Sequence, residues 1–337
     1  MHGVWLMKPK KWSVFITRQL LDPAIPMISK ECNVIVANHR GRPPTRNELL
    51  IAVRQKDAIL CTLSDIIDAK VMDAAGPNLK VISSYSTGID HIDIKEATKR
   101  GIYVTFTGDI LTDATADLAF ALILAISRQI TQGHELVKRK RWKYGWDPHL
   151  LLGSDVHSMT IGIVGLGRIG SAVARRAKGF DMDIIYHNRH NRNIQMEEQF
   201  GAKHVDMDEL IEESDFLSLH CSLNSESYHL INETNLRRMK KDSYIINTAR
   251  GQLINEVHLI KALKRRWIAG AGLDVFEKEP PSPYNPLLKM KNVVLLPHIG
   301  SATFLTRTKM AEVSARNLLN VLNQKNPIYL ANPEATL

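Results

Sequence analysis

A glycine-rich turn, GLGRIG at residues 165–170, follows the apolar run Thr160–Val164 and precedes a helical pattern over Ile169–Phe180. A glycine pattern alone recurs by chance, but a strand before it and a helix after it restrict the fold sharply. The first glycine, Gly165, permits a tight strand-to-helix turn. Gly167 lets a ligand come close to the backbone, and Gly170 lets helix and strand pack together. Free N–H groups and the helix dipole converge at such a helix start, so the group it suits is a pyrophosphate. The turn therefore implies a parallel sheet with a dinucleotide at its carboxyl edge.

The rest of the chain agrees with that reading. Beyond Thr160, strands are expected at Ile161–Val164, Asp183–Tyr186, Phe216–Leu219, Tyr244–Asn247, Ala269–Leu273 and Val293–Leu296, with helices filling the gaps. An earlier alternation gives strands at Val14–Thr17, Val34–Ala37, Ala58–Cys61, Val81–Ser83 and Tyr103–Thr105. Its helices are expected at Arg46–Val53, Ile67–Ala74 and Ile92–Lys99. Repeated βα units imply parallel sheets covered on both faces. The expected fold class is α/β, with two doubly wound parallel-sheet domains. A last helix, Arg307–Leu322, carries apolar Met310, Val313, Leu318 and Leu322 with no strand after it. A lone terminal helix often packs back on an earlier domain, which would make the first domain discontinuous.

Composition excludes several classes. A length of 337 residues is enough for two full cores. Cys32, Cys61 and Cys221 lie far apart with no CxxC, so neither a disulfide framework nor a metal site is expected, and a cytoplasmic location fits. The longest apolar run, Leu118–Ile126, is well short of the roughly 20 residues that span a bilayer. No membrane association is expected. The opening MHGVWLMKPKKW lacks a signal-peptide pattern, and Met7 is an alternative start. The net charge of +9 includes KRKRW at 138–142 and KRR at 264–266. No nucleic-acid motif accompanies it, so it reads as solvated helix faces and attraction for anionic ligands rather than as a nucleic-acid surface.

Three short words carry the chemistry: NTARG at 247–251, DVFEKEP at 274–280 and PHIGSAT at 297–303. Arg250 offers a planar, permanently charged fork that suits a carboxylate and an adjacent carbonyl. His298 offers an imidazole, a group that exchanges protons near neutrality. Glu279 can set the charge and tilt of that imidazole. Arg250 and His298 both follow strands, at the sheet edge where open α/β sheets bind ligands. This set behind a dinucleotide turn describes hydride transfer to or from a 2-keto or 2-hydroxy acid. The cofactor type is read after the second strand, where many NAD sites place a carboxylate for the ribose 2′-OH. Here the residues are Asn188, Arg189, His190, Asn191 and Arg192, with no carboxylate. Asn188 does not repel a 2′-phosphate, and Arg189 and Arg192 can pair with one. NADPH is expected in preference to NADH.

With these words in hand, the chain from about Trp12 to about Asn326 resembles the D-isomer-specific 2-hydroxyacid dehydrogenases, above all their glyoxylate/hydroxypyruvate reductase branch. The resemblance implies that Arg250 binds substrate, His298 is the general acid/base and Glu279 orients it. It implies cofactor contacts at Gly165, Gly167, Arg168, Ile169, Gly170, Thr248, Asp274 and Gly300, beside Asn188, Arg189 and Arg192. Thr87 and Gly88 of STGID match a loop whose N–H groups hold the substrate carboxylate, and Leu63 matches a pocket residue. The segment 112–125 matches one that builds a homodimer through the nucleotide-binding domain, and Trp146 one that can reach the partner subunit's active site. The implied domains are 1–108 plus 301–337 for substrate and 109–300 for the dinucleotide, with a cleft that closes on substrate. Phe106-Thr107-Gly108 departs from the usual Asn-Thr-Pro, and Ser222 from the usual His-x-Pro. The implied activity is reduction of glyoxylate and hydroxypyruvate. The alternatives are a 2-ketogluconate reductase or other D-2-hydroxyacid dehydrogenase and, in another class, a nucleotide-sensing corepressor-like protein. A Gln in place of Glu279 would have suited formate oxidation. An NAD-type carboxylate and an extra regulatory domain would have suited phosphoglycerate oxidation.

Overall fold

The structure, a computed structural model, describes residues 11–37 and 41–335, so the expectations about the N-terminal segment and Met7 fall outside it. Two compact units divide the chain: residues up to Leu111 together with Thr303 onward, and Thr112–Ala302.

The first unit alternates strand and helix. Its elements are β1 (Trp12–Ile16), α1 (Ala24–Glu31), β2 (Cys32–Val36), α2 (Arg46–Ala52), β3 (Ala58–Cys61), α3 (Ala69–Ala75), β4 (Val81–Ser84), α4 (Ile94–Lys99) and β5 (Tyr103–Thr105). All pairings are parallel, in the order β2-β1-β3-β4-β5. Three helix starts are written in the sequence. Thr45 and Glu48 form a reciprocal capping box, and the carboxylates of Asp68 and Asp93 accept from the backbone N–H of Val71 and Glu96. Helix α1 is absent from the sequence-based expectation. It starts after Pro23 without a side-chain cap and buries only Ala24 and Ile28, which leaves little periodicity to detect.

The second unit contains α5 (Thr112–Ser127), α6 (Ile130–Lys138), β6 (Thr160–Val164), α7 (Arg168–Lys178), β7 (Asp183–His187), α8 (Ile194–Phe200) and β8 (Lys203–His204). It continues with α9 (Met207–Glu213), β9 (Phe216–Leu219), α10 (Glu233–Arg238), β10 (Tyr244–Asn247), α11 (Glu256–Lys264), β11 (Gly270–Leu273) and β12 (Val293–Leu295). The seven strands are parallel, in the order β12-β11-β10-β9-β6-β7-β8. Successive residues of β10 feed opposite faces: Ile246 joins a core with Ile163 and Phe216, and Ile245 joins another with Leu217 and Leu273. Helices thus cover both sides, as a parallel sheet requires. One expectation fails here. Between β11 and β12 there is no α-helix, only a 3-10 turn at Pro286–Lys289. Pro280, Pro281 and Pro283 remove the N–H donors a helix would need. No single helix among the described residues is long and apolar enough to cross a membrane.

The last helix, α12 (Phe304–Leu322), returns to the first unit and packs on α1 and β4. It buries the four apolar residues read from the sequence, together with Ala311, Ala315 and Leu319. It begins three residues earlier than expected because the Thr303 side chain accepts from Thr306 N–H (3.0 Å).

The tail beyond α12 closes the exposed edge of β5. Ala331 N–H donates to Val104 O (2.8 Å). Asn332, fully buried, accepts from Val104 N–H (2.8 Å) and donates to Ile102 O (2.9 Å). Unpaired edge groups invite association with other strands, and this side chain occupies them. Asn332→Ala would leave buried backbone groups without partners, at a cost of about 3 kcal/mol. Urea unfolding monitored by circular dichroism should show a clear drop in midpoint. An unchanged midpoint would show that the edge does not depend on Asn332.

Candidate active site

The glycine turn is built by close backbone contact. Gly165 lies at φ +94°, and a Cβ there would meet the backbone of His220 and Cys221 within about 3 Å, so only glycine fits. The N–H of Leu166, within the turn, donates to Asn188 Oδ1 (2.7 Å), and Asn193 Nδ2 donates to Leu166 O (2.9 Å). In front of Gly167 the space is open for at least 4 Å. Gly167 caps α7 without a side chain, so the N–H groups of its first turn, at Arg168 and Ile169, are uncapped. Behind the turn, burial pushes His220 down to about 4, leaving it neutral at pH 7, and its Nε2 lies 2.8 Å from Ser218 Oγ.

After β7 the two arginines meet carboxylates that the sequence does not announce. Arg189 pairs with Glu226 and donates through Nε to His190 Nε2 (2.8 Å). Arg192 pairs with Glu197, donating through Nε at 3.0 Å. The Arg192 hydrogen bond, with a second from Tyr186, holds the Glu197 carboxyl at about 2. Both guanidinium groups remain about half exposed.

Three turns at the carboxyl edge carry the candidate side chains. After β10, buried Asn247 shapes the NTARG turn: its Nδ2 donates to Arg250 O (2.8 Å) and its Oδ1 accepts from Ala249 N–H (3.0 Å). Arg250 donates through Nη1 to Ala249 O (2.8 Å). Thr248 is 7% exposed and its Oγ1 is buried with no protein partner among the described residues. After β11, Asp274 is fully buried, and its two carboxylate oxygens accept from Ile299 and Gly300 N–H, each at 2.7 Å. It thereby holds the PHIG turn. After β12, His298 sits at φ +55° with Nδ1 2.7 Å from Glu279 Oε2. A carboxylate only accepts, so Nδ1 carries the proton and Nε2 is the atom left to exchange one. Glu279 Oε1 accepts from Phe276 N–H (3.1 Å), which fixes the carboxylate as well.

A further clasp escaped the sequence. His229 Nε2 meets Glu277 Oε1 at 2.8 Å, and Gln252 Nε2 donates to Glu277 O (2.9 Å). His229 N–H donates to Gln252 O (2.8 Å). A Cβ on Gly251 would lie within 2.0 Å of the Phe276 backbone. The Arg250 turn and the Glu279 loop are thereby pressed together. Glu277 lies inside DVFEKEP and Gln252 directly follows the Arg-Gly pair, but no spacing rule joins either to His229.

In the first unit, Leu63 is 40% exposed on the loop after β3. The Asp65 carboxylate shapes that loop by accepting from Thr62 N–H (2.8 Å) and Thr17 Oγ1 (2.6 Å). After β4, Thr87 Oγ1 donates to Gly108 O (2.7 Å), and Thr107 N–H donates to Ser86 O (3.0 Å). Among the described residues, nothing accepts from the N–H of Thr87 or Gly88. Trp146, in the second unit, is 83% exposed, close in sequence to Trp142 and Tyr144, which are also exposed.

The open space before Gly167, the uncapped first turn of α7 and the unpartnered Thr248 hydroxyl together fit a dinucleotide. Comparison with known proteins agrees. Residues 120–300 match the family profile of the D-isomer specific 2-hydroxyacid dehydrogenase NAD binding domain. A glyoxylate reductase of Thermofilum pendens is 50% identical over 98% of this chain and 96% of its own length. The crystal structure of a protein from Thermus thermophilus, 42% identical, superposes with a TM-score of 0.88 over 95% of this chain and 99% of that one. An NADPH-dependent glyoxylate/hydroxypyruvate reductase from Sinorhizobium meliloti, solved with NADP and malonate, is 28% identical with a TM-score of 0.84, over 97% of this chain and 98% of that one. The chain therefore belongs to the D-isomer-specific 2-hydroxyacid dehydrogenase family and is an NAD(P)-dependent dehydrogenase.

Proposed function

We propose that this protein reduces glyoxylate and hydroxypyruvate to the corresponding D-2-hydroxyacids, with NADPH preferred over NADH. The observation that carries the reading is the His298–Glu279 pair, which leaves the imidazole Nε2 as the proton-exchanging atom at a sheet edge it shares with Arg250. The glyoxylate reductases among the relatives support the substrate class.

A nicotinamide held at this edge would supply the hydride. Every other step belongs to the chain. Residues 1–108 with 301–337 act as the substrate domain, and 109–300 hold the dinucleotide. The unpartnered N–H groups of Thr87 and Gly88 receive the substrate carboxylate, with Leu63 against its small tail. Arg250 binds the carboxylate and carbonyl oxygens and stabilises charge as it develops on the latter. His298 Nε2 donates a proton to that oxygen, and Glu279 keeps the ring oriented while its charge changes. Thr248, Asp274 and Gly300 would contact the nicotinamide half, and Asp274 also keeps the Gly300 turn in place. Gly165, Gly167, Arg168, Ile169 and Gly170 hold the pyrophosphate. Asn188, Arg189 and Arg192 would hold the adenosine ribose, with Arg189 leaving Glu226 to pair with a 2′-phosphate. The exposed Trp142, Tyr144 and Trp146 support a homodimer through the dinucleotide domain, in which Trp146 reaches the partner subunit's site.

Initial rates with glyoxylate, hydroxypyruvate and 2-ketogluconate, each with NADPH and NADH, test the reading as a whole. The two small acids with NADPH should be fastest, and no turnover of either would overturn it. His298→Ala should reduce kcat by about 10²–10⁴-fold while the NADPH dissociation constant holds. A kcat within threefold of wild type would remove His298 from the proton transfer. Arg189→Ala should raise the KM for NADPH by about tenfold and leave that for NADH nearly unchanged, as expected for one charge-assisted contact. Equal effects on both cofactors would reject the 2′-phosphate assignment.

A further inference from the structure

The STGID loop continues into a histidine, His91, that the proposed reaction does not use. Two serines of the same region, Ser84 at the end of β4 and Ser86 just beyond it, are also unassigned. Ser84 is fully buried and Ser86 is 4% exposed. Buried hydroxyls need partners, and these two find them in one another and in His91. Ser86 Oγ donates to Gly88 O (2.6 Å), Ser84 Oγ lies 2.7 Å from Ser86 Oγ, and His91 Nε2 lies 3.2 Å from Ser84 Oγ.

The direction of this chain follows from proton counting. A hydroxyl has one proton to give. That of Ser86 goes to a carbonyl, which has none to offer in return. Ser84 must therefore donate to Ser86, and so has no proton left for the imidazole. His91 Nε2 must then carry a hydrogen and donate to Ser84. The sense runs one way, from His91 through Ser84 and Ser86 to the Gly88 carbonyl. Cys61 Sγ stands 4.0 Å from the same Nε2, and burial pushes its thiol up, so it remains a neutral neighbour.

The chain ends in the segment whose N–H groups face an anion in the proposed reaction. Within it, the Ser86 carbonyl is taken by Thr107 N–H, the Thr87 hydroxyl is spent on Gly108 O, and the Gly88 carbonyl is held by Ser86. With those groups turned to the protein, the N–H groups of Thr87 and Gly88 are left to bind a ligand. Two successive N–H groups fixed this way form an anion-binding concavity. We propose that His91, Ser84 and Ser86 are positioning residues: a one-way hydrogen-bond chain that holds the Thr87–Gly88 loop in the shape that binds the substrate carboxylate. The proposal deepens the 2-ketoacid reading and rests on it for the identity of the anion.

The test is a comparison of steady-state constants for glyoxylate, made with the full chain and saturating NADPH. Ser86→Ala should raise KM by about tenfold, the equivalent of one well-formed hydrogen bond, while kcat changes less than twofold and the NADPH dissociation constant is unchanged. Ser86→Thr, which restores the hydroxyl, should bring KM back. His91→Gln places an amide N–H near the Nε2 position and should stay close to wild type, whereas His91→Leu should behave like Ser86→Ala. An unchanged KM in Ser86→Ala would overturn the proposal. So would a parallel fall in kcat, KM and thermal midpoint that Ser86→Thr fails to reverse, because that is the mark of a structural residue only. Binding of oxamate to the NADP-loaded protein, measured by calorimetry, separates this proposal from the reaction. If wild type turns over no 2-ketoacid yet binds oxamate tenfold more tightly than Ser86→Ala, the reaction falls and the chain stands. Equal oxamate affinity in the two proteins overturns the chain, and no oxamate binding by wild type overturns both.

Discussion

The PHIG turn that carries His298 hangs on one buried carboxylate. Asp274 accepts two backbone N–H groups from Ile299 and Gly300, and its own carbonyl accepts from His298 N–H at 2.8 Å. Burial pushes the Asp274 carboxyl up, and the Ile299 and Gly300 N–H groups and nearby His298 pull the other way. A carboxylate in apolar surroundings is stable only if such donors replace its water. The arrangement also explains how His298 tolerates φ +55°, a left-handed conformation that costs a non-glycine residue on the order of 1 kcal/mol or more. Backbone on one side and Glu279 on the other over-determine its position. The strained residue is thus the one whose ring must point in a single direction.

The same logic of clasped turns governs the rest of the carboxyl edge, and it sets the limit of what a sequence discloses. The strands were legible because parallel strands buried on both faces are short apolar runs, as in AILC of β3 and FLSL of β9. The glycine turn, Arg250, Glu279 and His298 were legible because each directly follows such a run or lies within a compact motif. The His229–Glu277 clasp was not, since its halves are 48 residues apart and neither carries a local pattern. Strand β8 has only two residues, too few for any periodicity, and α1 lacks a capping side chain. The absent helix after β11 is a different case: the prolines are visible in the sequence, but a reading by the rhythm of alternation passes over them.

Charge shows how far composition misleads when read without geometry. The KRR run at 264–266 looks like a basic patch, yet its surroundings are an organised cluster. The Arg237 guanidinium lies 3.8 Å from the Trp267 ring centre, with Lys261 at 5.6 Å and Arg265 at 5.9 Å. Glu233 sits between Arg237 and Lys261 at 2.8 and 2.7 Å. Next to it, Arg238 meets both Asp208 and Glu212. Each exposed pair contributes little by itself, but the cluster spreads cations over carboxylates and an indole face instead of presenting a continuous stripe. The net charge of +9 draws small anions toward the protein.

The cofactor question turns on what Asn188 is asked to do. Its side chain is not idle at the end of β7. Oδ1 accepts from the N–H of Leu166 within the glycine turn, and Nδ2 donates to Asn191 O at 3.0 Å. A carboxylate could make the first bond but not the second, because it has no proton to donate. The amide is therefore favoured by the bracing of the turn and of the 188–191 loop, before any ligand is considered. Its consequence is that the position beside the glycine turn carries no negative charge. Two carboxylates of this region, Glu226 and Glu197, are each engaged by an arginine. In the proposed function a 2′-phosphate there would meet arginines whose charge is partly satisfied, so its affinity would depend on the ease with which Arg189 leaves an exposed partner. Exposed pairs are weak, and a dianion competes well against one carboxylate. The proposed preference for NADPH rests on that exchange, with the neutral bracket as its precondition.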